Sequence, residues 1–239
     1  MKNNRKLYFI GIGPGDPELL TLKAVRLIKG CDVLFFPAGK KSSEDSIAMK
    51  VIEGIVDLEN KRVCFLHFPM VKGADKIIEA AEPSAQIIDN ELAEGETGVF
   101  ITIGCSTIYS TAGNMFASMK NRDIDIFFVP GVSSINATAS SAGIPLVFSE
   151  EKLAVIPVAY SMDVIESAIE MFDTIVLMKV HTNMGKIREI IINKGLAESS
   201  YMVERATTSE EKVSCISGIP NDYKPHYMSS ILIKKNFGD

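Results

Sequence analysis

The chain has 239 residues and a mass of 26.1 kDa, enough for one large domain or two small ones with a hydrophobic core. Apolar residues make up 46% and charged residues 23%, and no apolar run approaches the ~18 residues of a membrane-spanning helix. The net charge of −5 and the pI near 5.4 argue against a nucleic-acid-binding surface.

Through the first half of the chain, short apolar runs alternate with helical patterns. The runs are continuously apolar, which is typical of strands in a parallel sheet that is covered on both faces. They predict five strands, at Lys6–Ile10, Asp32–Phe36, Arg62–Leu66, Gly98–Ile103 and Ile124–Val129. Alternation of strands and helices at this spacing predicts an α/β domain.

The helices between these strands carry start and stop signals. We expect Asp16 to cap the first helix, with Pro17 at its first position and Gly30 at its end. The apolar face of this helix is predicted to consist of Leu19, Leu20, Leu22, Val25 and Leu27. Three further helical patterns follow Ser43-Glu44-Asp45, cover Ala74–Glu94 and run from Ile108 to about Lys120. Pro83 predicts that the second of these is either two helices or one kinked helix.

The second half of the chain has a different order of predicted helices and strands. One helix of small residues, Ser133–Ala142, ends at Gly143 and is followed mainly by strands. These strands are predicted at Lys152–Ile156, Thr174–Val180, Ser200–Glu204, Lys212–Ile216 and Ser230–Lys234, with helices near Met162–Met171 and Met184–Asn193. We therefore expect an α/β domain over residues 1–130 and a mixed α+β domain over residues 131–239.

A glycine-rich loop, Gly11–Pro17, follows the first strand directly. It lacks the third glycine of the dinucleotide fingerprint, because Asp16 stands at that position. Its two prolines also remove amides that would bind a pyrophosphate. These residues favour a ligand-contacting loop over a purely structural turn, and over a dinucleotide site.

Four more irregular segments stand at strand ends, where open α/β folds bind ligands. They are Ile103–Ser110, Val129–Ser134, Leu177–Val180 and Glu204–Thr207. Together with Gly11–Thr21, they resemble in order and spacing the tetrapyrrole methylases, the class III family of S-adenosylmethionine (SAM)-dependent methyltransferases. Met178-Lys179-Val180, Glu204–Thr207 and Glu151–Ala154 are similar to the branch that methylates C20 of precorrin-2 or cobalt-factor II in cobalamin biosynthesis.

The resemblance implies two domains, a parallel-sheet α/β domain and a mixed-sheet α+β domain, with the site in the cleft between them. It implies SAM as methyl donor and a tetrapyrrole with carboxylate side chains as substrate. Carried over by motif, the residues expected to contact SAM are Pro14, Gly104, Cys105, Ser106, Ile108, Ser133, Ser134, Met178 and Ala206. Those expected to face the tetrapyrrole are Gly13, Gly15, Asp16, Pro130, Gly131, Lys179 and Arg205. The stretch His226–Ser229 is expected near the adenine.

One motif departs from the family pattern. Gly104-Cys105-Ser106 stands where the family usually has Gly-Asp-Pro. Cys105 is interpreted as a packing cysteine rather than a reactive thiol. The departure leaves open a degenerate paralogue that binds SAM without transferring methyl groups.

The roles of several charged residues also stay open. Arg205 is either a clamp for a substrate carboxylate or a partner of Glu204 or another acid. Lys40 and Lys41 follow the second strand, and His181 is a weak candidate for removing a proton from the substrate. The three histidines are too scattered to predict a metal site, and no catalytic residue is assigned.

Rival functions are another class III methylase, acting on a different carbon or substrate, and a nucleotide-binding oxidoreductase. The four cysteines are too far apart for a C-x-x-C pair, and the first residues carry no secretory cleavage site. We therefore expect a cytoplasmic enzyme with free thiols and no membrane or nucleic-acid partner. The resemblance implies a homodimer.

Overall fold

The computed structural model describes residues 4–38, 47–58, 61–68, 73–158 and 162–235. The chain divides into two compact units, Met1–Ser133 and Ser134–Asp239. No helix in these ranges is both long and apolar enough to cross a membrane.

The first unit contains a five-stranded parallel sheet in the order β3-β2-β4-β1-β5. Its strands are β1 Lys6–Gly11, β2 Val33–Ala38, β3 Arg62–His67, β4 Thr97–Thr102 and β5 Asp125–Val129. The described helices of this unit are α1 Leu22–Gly30, α2 Ile47–Glu53, α3 Ala74–Glu91 and α4 Thr111–Met119. Alternate side chains of β1 enter two separate apolar cores, with Ile10 in one and Phe9 in the other. Burial on both faces explains why these strands read as continuous apolar runs.

The first helix differs from its prediction. Asp16 caps only a single 3₁₀ turn, Pro17–Leu19, by accepting a hydrogen bond from the backbone amide of Glu18. The α-helix α1 starts at Leu22 and is capped by Thr21, although it does end at Gly30 as expected. Leu22 is 90% exposed, so its predicted place on the apolar face is wrong. The buried residues of α1 are Ala24 and Ile28, because the 3₁₀ turn resets the helical phase.

Two other helices also have different bounds. A single helix, α3, runs through Pro83, so of the two predicted alternatives the structure has one helix and not two. Helix α4 starts at Thr111, and Ile108 therefore lies in the loop before it. The pattern after Ser43-Glu44-Asp45 begins outside the described residues, as do Lys40 and Lys41.

The second unit contains a mixed five-stranded sheet in the order β6-β7-β10-β8-β9. Its strands are β6 Leu153–Pro157, β7 Thr174–Met178, β8 Ser200–Glu204, β9 Lys212–Cys215 and β10 Ser229–Lys234. Its described α-helices are α5 Ser134–Ala142, α6 Ile165–Met171 and α7 Met184–Asn193. Because β10 is antiparallel to both β7 and β8, its first residues lie at the same sheet edge as the ends of those two strands.

Strand β7 is shorter than predicted. It ends at Met178, because Lys179 adopts the left-handed conformation with φ 59°. A 3₁₀ turn, Val180–Thr182, follows. The chain therefore leaves the sheet two residues earlier than the apolar run suggests.

Candidate functional site

Three loops meet at the carboxyl edge of the first sheet. They follow β4, β1 and β5, which lie side by side. Gly13 and Gly104 join the first two loops through paired backbone hydrogen bonds, of 3.2 Å from Gly13 N and 2.7 Å from Gly104 N. Both glycines have positive φ, 81° and 74°, which other residues rarely adopt.

The third loop approaches the other two most closely at backbone atoms of Gly131. A Cβ atom built on Gly131 would lie 2.4 Å from Gly104 O and 2.5 Å from the carbonyl carbon of Gly11. A Cβ atom on Gly11 would lie 2.5 Å from the same Gly104 oxygen. Glycine is therefore required at both positions by close approach, and the three loops form one closely packed platform.

The loop after β4 is held by its own polar side chains. Ser106 is fully buried, and its hydroxyl donates to Val129 O at 2.9 Å, which ties the loop to β5. The Ser110 hydroxyl donates to Ser106 O at 2.6 Å. Tyr109 has φ 46°, and such strained residues concentrate at functional sites.

Cys105 is buried in this loop, with 8% of its surface exposed. Burial raises the pKa of its thiol, but hydrogen bonds to the Thr107 hydroxyl and to the backbone amides of Thr107 and Gly131 outweigh that effect and lower the pKa. The Sγ–Oγ1 distance to Thr107 is 3.2 Å. The sulfur thus accepts bonds that would suit an anionic group.

The remaining predicted residues of the first unit lie on the same loops. Pro14 and Ser133 are buried, whereas Gly15 and Asp16 are half-buried and Pro130 is exposed. The structure therefore brings together the predicted residues that precede Ser134. No lysine or arginine occurs in the loop ranges 11–16, 103–110 and 130–133.

A surface cavity of about 440 Å³ lies elsewhere in the first unit, near the amino ends of β2 and β3. Its lining includes Lys29, Asp57 and Lys61. The Lys61 ammonium donates to the carbonyls of Lys29 and Cys31, at 2.8 and 2.9 Å. Lys61 therefore caps carbonyls at the carboxyl end of helix α1. None of the predicted site residues, all within the described ranges, lines this cavity.

In the second unit, the predicted residues gather where β7 and β8 end and β10 begins. Lys179, Arg205 and Thr207 all have positive φ, 59°, 48° and 66°. Arg205 N donates to Met228 O at 2.8 Å, which fixes this turn against the start of β10. Burial lowers the pKa of Lys179. Backbone strain after β7 and after β8, the two strands that flank β10, marks this edge as a second candidate surface.

Ala206 and Ser134 belong to the same part of this unit. Ala206 packs with Val203 and with Ala137, which lies in the first turn of α5. Ser134 begins that helix, and its carbonyl accepts a hydrogen bond of 2.7 Å from the Thr138 hydroxyl.

Arg205 pairs with Glu210 and not with its neighbour Glu204. Glu204 is only 5% exposed and accepts hydrogen bonds of 2.6 Å from the Tyr223 hydroxyl and from His226 N. The sequence left the acid partner open. Sequence spacing did not identify Glu210 as the partner of Arg205 or Tyr223 as a partner of Glu204. Both contacts depend on how the loops after β8 and β9 turn back toward the end of β8.

The two histidines of this edge have different surroundings. Burial, followed by the charge of Arg205, lowers the pKa of His226, whose Nδ1 accepts a 3.1 Å bond from Met228 N. The ring of His181 packs edge-on against Tyr227, at 5.2 Å between centroids. Its Nδ1 is buried without a hydrogen-bond partner among the described residues. Within those residues, no three His, Cys, Asp or Glu side chains group as metal ligands.

The chain thus joins a parallel-sheet α/β unit, which carries the glycine platform, to a unit built on a mixed sheet. Residues 6–215 match the family of Tetrapyrrole (Corrin/Porphyrin) Methylases. The chain belongs to this family, which confirms the predicted resemblance and fold class.

Named relatives match along nearly the whole chain. The chain is 36% identical over 236 residues to the probable cobalt-precorrin-2 C(20)-methyltransferase of Methanocaldococcus jannaschii, covering 97% of this chain and 96% of that protein. It is 33% identical to the cobalt-precorrin-2 C(20)-methyltransferase of Salmonella typhimurium, covering 98% of each. The crystal structure of uroporphyrin-III C-methyltransferase from Thermus thermophilus, complexed with S-adenosyl homocysteine, matches with a TM-score of 0.67 at 20% identity, covering 95% of this chain and 96% of that one.

Proposed function

We propose that this protein is a SAM-dependent C-methyltransferase that methylates C20 of precorrin-2 or of its cobalt-bearing counterpart in cobalamin biosynthesis. The observation that carries the proposal is the identity of 33–36%, over nearly the full chain, with two relatives named for C20 methylation. The similarity extends through residues of both compact units, so it is not confined to a shared cofactor motif.

The loops of the first unit fit SAM as a cofactor. A sulfonium is a cation, and the platform combines backbone carbonyls with Asp16 and a Cys105 thiol of lowered pKa, without lysine or arginine. The same chemistry disfavours a pyrophosphate, which needs amides and positive charge. We assign Pro14, Gly104, Cys105, Ser106, Ile108 and Ser133 to this contact, with Ser134, Met178 and Ala206 contributed by the second unit.

Methyl transfer needs little acid–base chemistry from the protein. SAM, when bound, supplies an electrophilic methyl group for an in-line displacement. The task of the chain is to hold the carbon and the methyl group in line, and such orientation contributes on the order of 7–11 kcal/mol. A platform in which Gly11, Gly104 and Gly131 meet at backbone distance suits that purpose, because its loops have little room to shift apart independently.

Residues of both units are proposed to face the tetrapyrrole. Gly13, Gly15, Asp16, Pro130 and Gly131 offer backbone and small side chains, which allow close approach of a flat ring. Lys179 and Arg205 offer positive charge for its carboxylates, in a protein with a net charge of −5.

Location and assembly are further proposals. All four cysteines are free thiols, which suits the reducing cytoplasm. A homodimer is inferred from the family resemblance, and sedimentation velocity of the purified protein would measure it.

The function is tested by incubating the purified protein with SAM and either precorrin-2 or cobalt-factor II. We expect the product to gain one methyl group in place of a hydrogen, located at C20 by NMR. Calorimetry should detect binding of SAM or its demethylated product but not of NAD. Micromolar binding of NAD without heat from SAM would refute the proposal, and SAM binding without any methyl transfer would identify a degenerate paralogue.

The unusual loop yields a separate prediction. We expect Cys105→Asp combined with Ser106→Pro to change SAM affinity by less than about tenfold, or about 1.4 kcal/mol. An aspartate can accept the amide bonds that Cys105 accepts now. Proline removes the hydroxyl bond to Val129 O, worth about 0.5–1.5 kcal/mol, and recovers about 0.4–1 kcal/mol through a stiffer unfolded chain.

Turnover of the wild type and of this double variant, with the same tetrapyrrole, completes the comparison. We expect both proteins to be active. An inert wild type beside an active double variant would contradict the claim that the native loop supports catalysis.

A further inference from the structure

We propose that the carboxylate of Glu210 pairs with the guanidinium of Arg205 in the free protein and is displaced by a carboxylate of the substrate when the substrate binds. The inference rests on the proposed function, because it takes the ligand to be a polycarboxylate tetrapyrrole. It makes Glu210 a residue that tunes substrate affinity and selectivity, although no motif includes it.

The backbone of Arg205 is fixed on both sides. Its amide donates to Met228 O at 2.8 Å, and its carbonyl accepts from Thr208 N at 3.0 Å and from the Thr208 hydroxyl at 2.8 Å. With φ at 48°, Arg205 occupies a conformation that this bonding pattern must enforce. The start of its side chain therefore has a defined position at the edge of the sheet.

The two neighbouring acids of this turn have different tasks. Glu211 accepts a hydrogen bond from Thr207 N at 2.5 Å and another from the Ser141 hydroxyl at 2.6 Å, so it fixes the turn internally and to α5. Glu210 makes an ion pair with Arg205 while 68% of its side chain stays exposed. Glu211 thus holds the loop in place, whereas the Glu210 carboxylate pairs, within the described ranges, with the Arg205 guanidinium alone.

The ion pair is suited to exchange. The Arg205 side chain is 34% exposed, and among the described residues Glu210 is its only salt-bridge partner. Exposed pairs of this kind change an equilibrium constant by about two- to fivefold. A ligand that brings several carboxylates therefore has enough binding energy to replace a single exposed glutamate.

The guanidinium also lies close to other members of the candidate surface. The charge of Arg205 helps to lower the pKa of His226, which lies just before β10. The backbone amide of Arg205 donates to the carbonyl of Met228 in the same segment. A carboxylate bound by Arg205 would therefore lie at the same sheet edge as Lys179, which follows the last residue of β7. Ligands without carboxylates have no group to exchange for Glu210, so the pair weakens their contact with this guanidinium by the same small factor.

The test compares Glu210→Gln with the wild type for binding of uroporphyrin III, measured by fluorescence quenching. We expect binding to become about two- to fivefold tighter at low ionic strength, and the gain to shrink at high salt. Glu189→Gln is the matched control, since it removes one exposed carboxylate from α7 and should leave affinity unchanged. Melting temperatures should agree among the three proteins.

A double-mutant cycle separates exchange at Arg205 from a general charge effect. In an Arg205→Gln background, the further change Glu210→Gln should no longer tighten binding. An unchanged or weaker affinity of Glu210→Gln, or a gain that persists without Arg205, would overturn the exchange. A wild type that neither binds the porphyrin nor methylates precorrin-2 would instead refute the proposed function, and the exchange with it.

Discussion

Gly131→Ala is expected to destabilise the first unit by about 2–4 kcal/mol and to abolish SAM binding. The added methyl group would meet only backbone, at 2.4 Å from Gly104 O and 2.5 Å from the Gly11 carbonyl carbon. Backbone atoms in a closed platform cannot turn aside as a side chain can. The loops after β1, β4 and β5 would have to separate. Thermal unfolding and calorimetry with SAM measure the two effects.

Gly113→Ala is the matched control. Gly113 lies within α4, and a Cβ atom there would meet nothing within 4 Å. This variant should be more stable than the wild type by about 0.5–1 kcal/mol, since alanine favours a helix. If Gly131→Ala proves as stable as Gly113→Ala and still binds SAM, the three loops are not packed as described.

Lys234→Ala is expected to destabilise the second unit by about 3–5 kcal/mol. Lys234 is 2% exposed, at the end of the central strand β10. Its ammonium pairs with Glu151 and donates to Thr174 Oγ1 and Leu146 O, both at 3.2 Å. The substitution removes a packed side chain and leaves these acceptors without their donor. Lys235→Ala, the control at the next position, should change stability by less than about 0.5 kcal/mol.

The ion pair between Lys234 and Glu151 makes the stability of the second unit depend on pH. The bond from Lys234, aided by the amide of Phe148, lowers the pKa of Glu151 from its ordinary value of 4.5. A carboxyl whose pKa is lower in the folded state than in the unfolded state stabilises the protein above pH 4.5. This contribution is lost as the pH falls through the folded-state pKa of Glu151. The difference in melting temperature between the wild type and Lys234→Met should therefore narrow below about pH 4.5. A constant difference down to pH 3 would show that the pair is not ionic.

Strands and their flanking loops were the most predictable part of this protein. Ser200–Glu204 was predicted with its observed bounds, and the four other strands of the second unit within one or two residues at each end. The glycine loop was placed correctly after β1 because apolar runs and glycines are local signals. Helix starts were less predictable. Thr21 competes with Asp16 as a cap, and only packing of Ala24 and Ile28 decides between them.

The motifs of the candidate site could be predicted from the sequence, whereas the contacts between them could not. The motifs at Gly11, Gly104 and Gly131 were recognisable as a set, but their mutual contact was not visible in the sequence. Nor was the choice of Glu210 over Glu204 as the partner of Arg205. Spacing along the chain does not say which way a side chain turns once the backbone has left its strand.

The sequence by itself determined the family, the two kinds of sheet and the strand ends where ligands are expected. Those properties follow from apolar periodicity and from short motifs, which act over a few residues. Only the tertiary structure decided that Lys234 is buried, that Leu22 is exposed and that three glycines touch through backbone. Each of these depends on atoms brought together from distant parts of the chain, where a few tenths of an ångström determine whether a side chain fits.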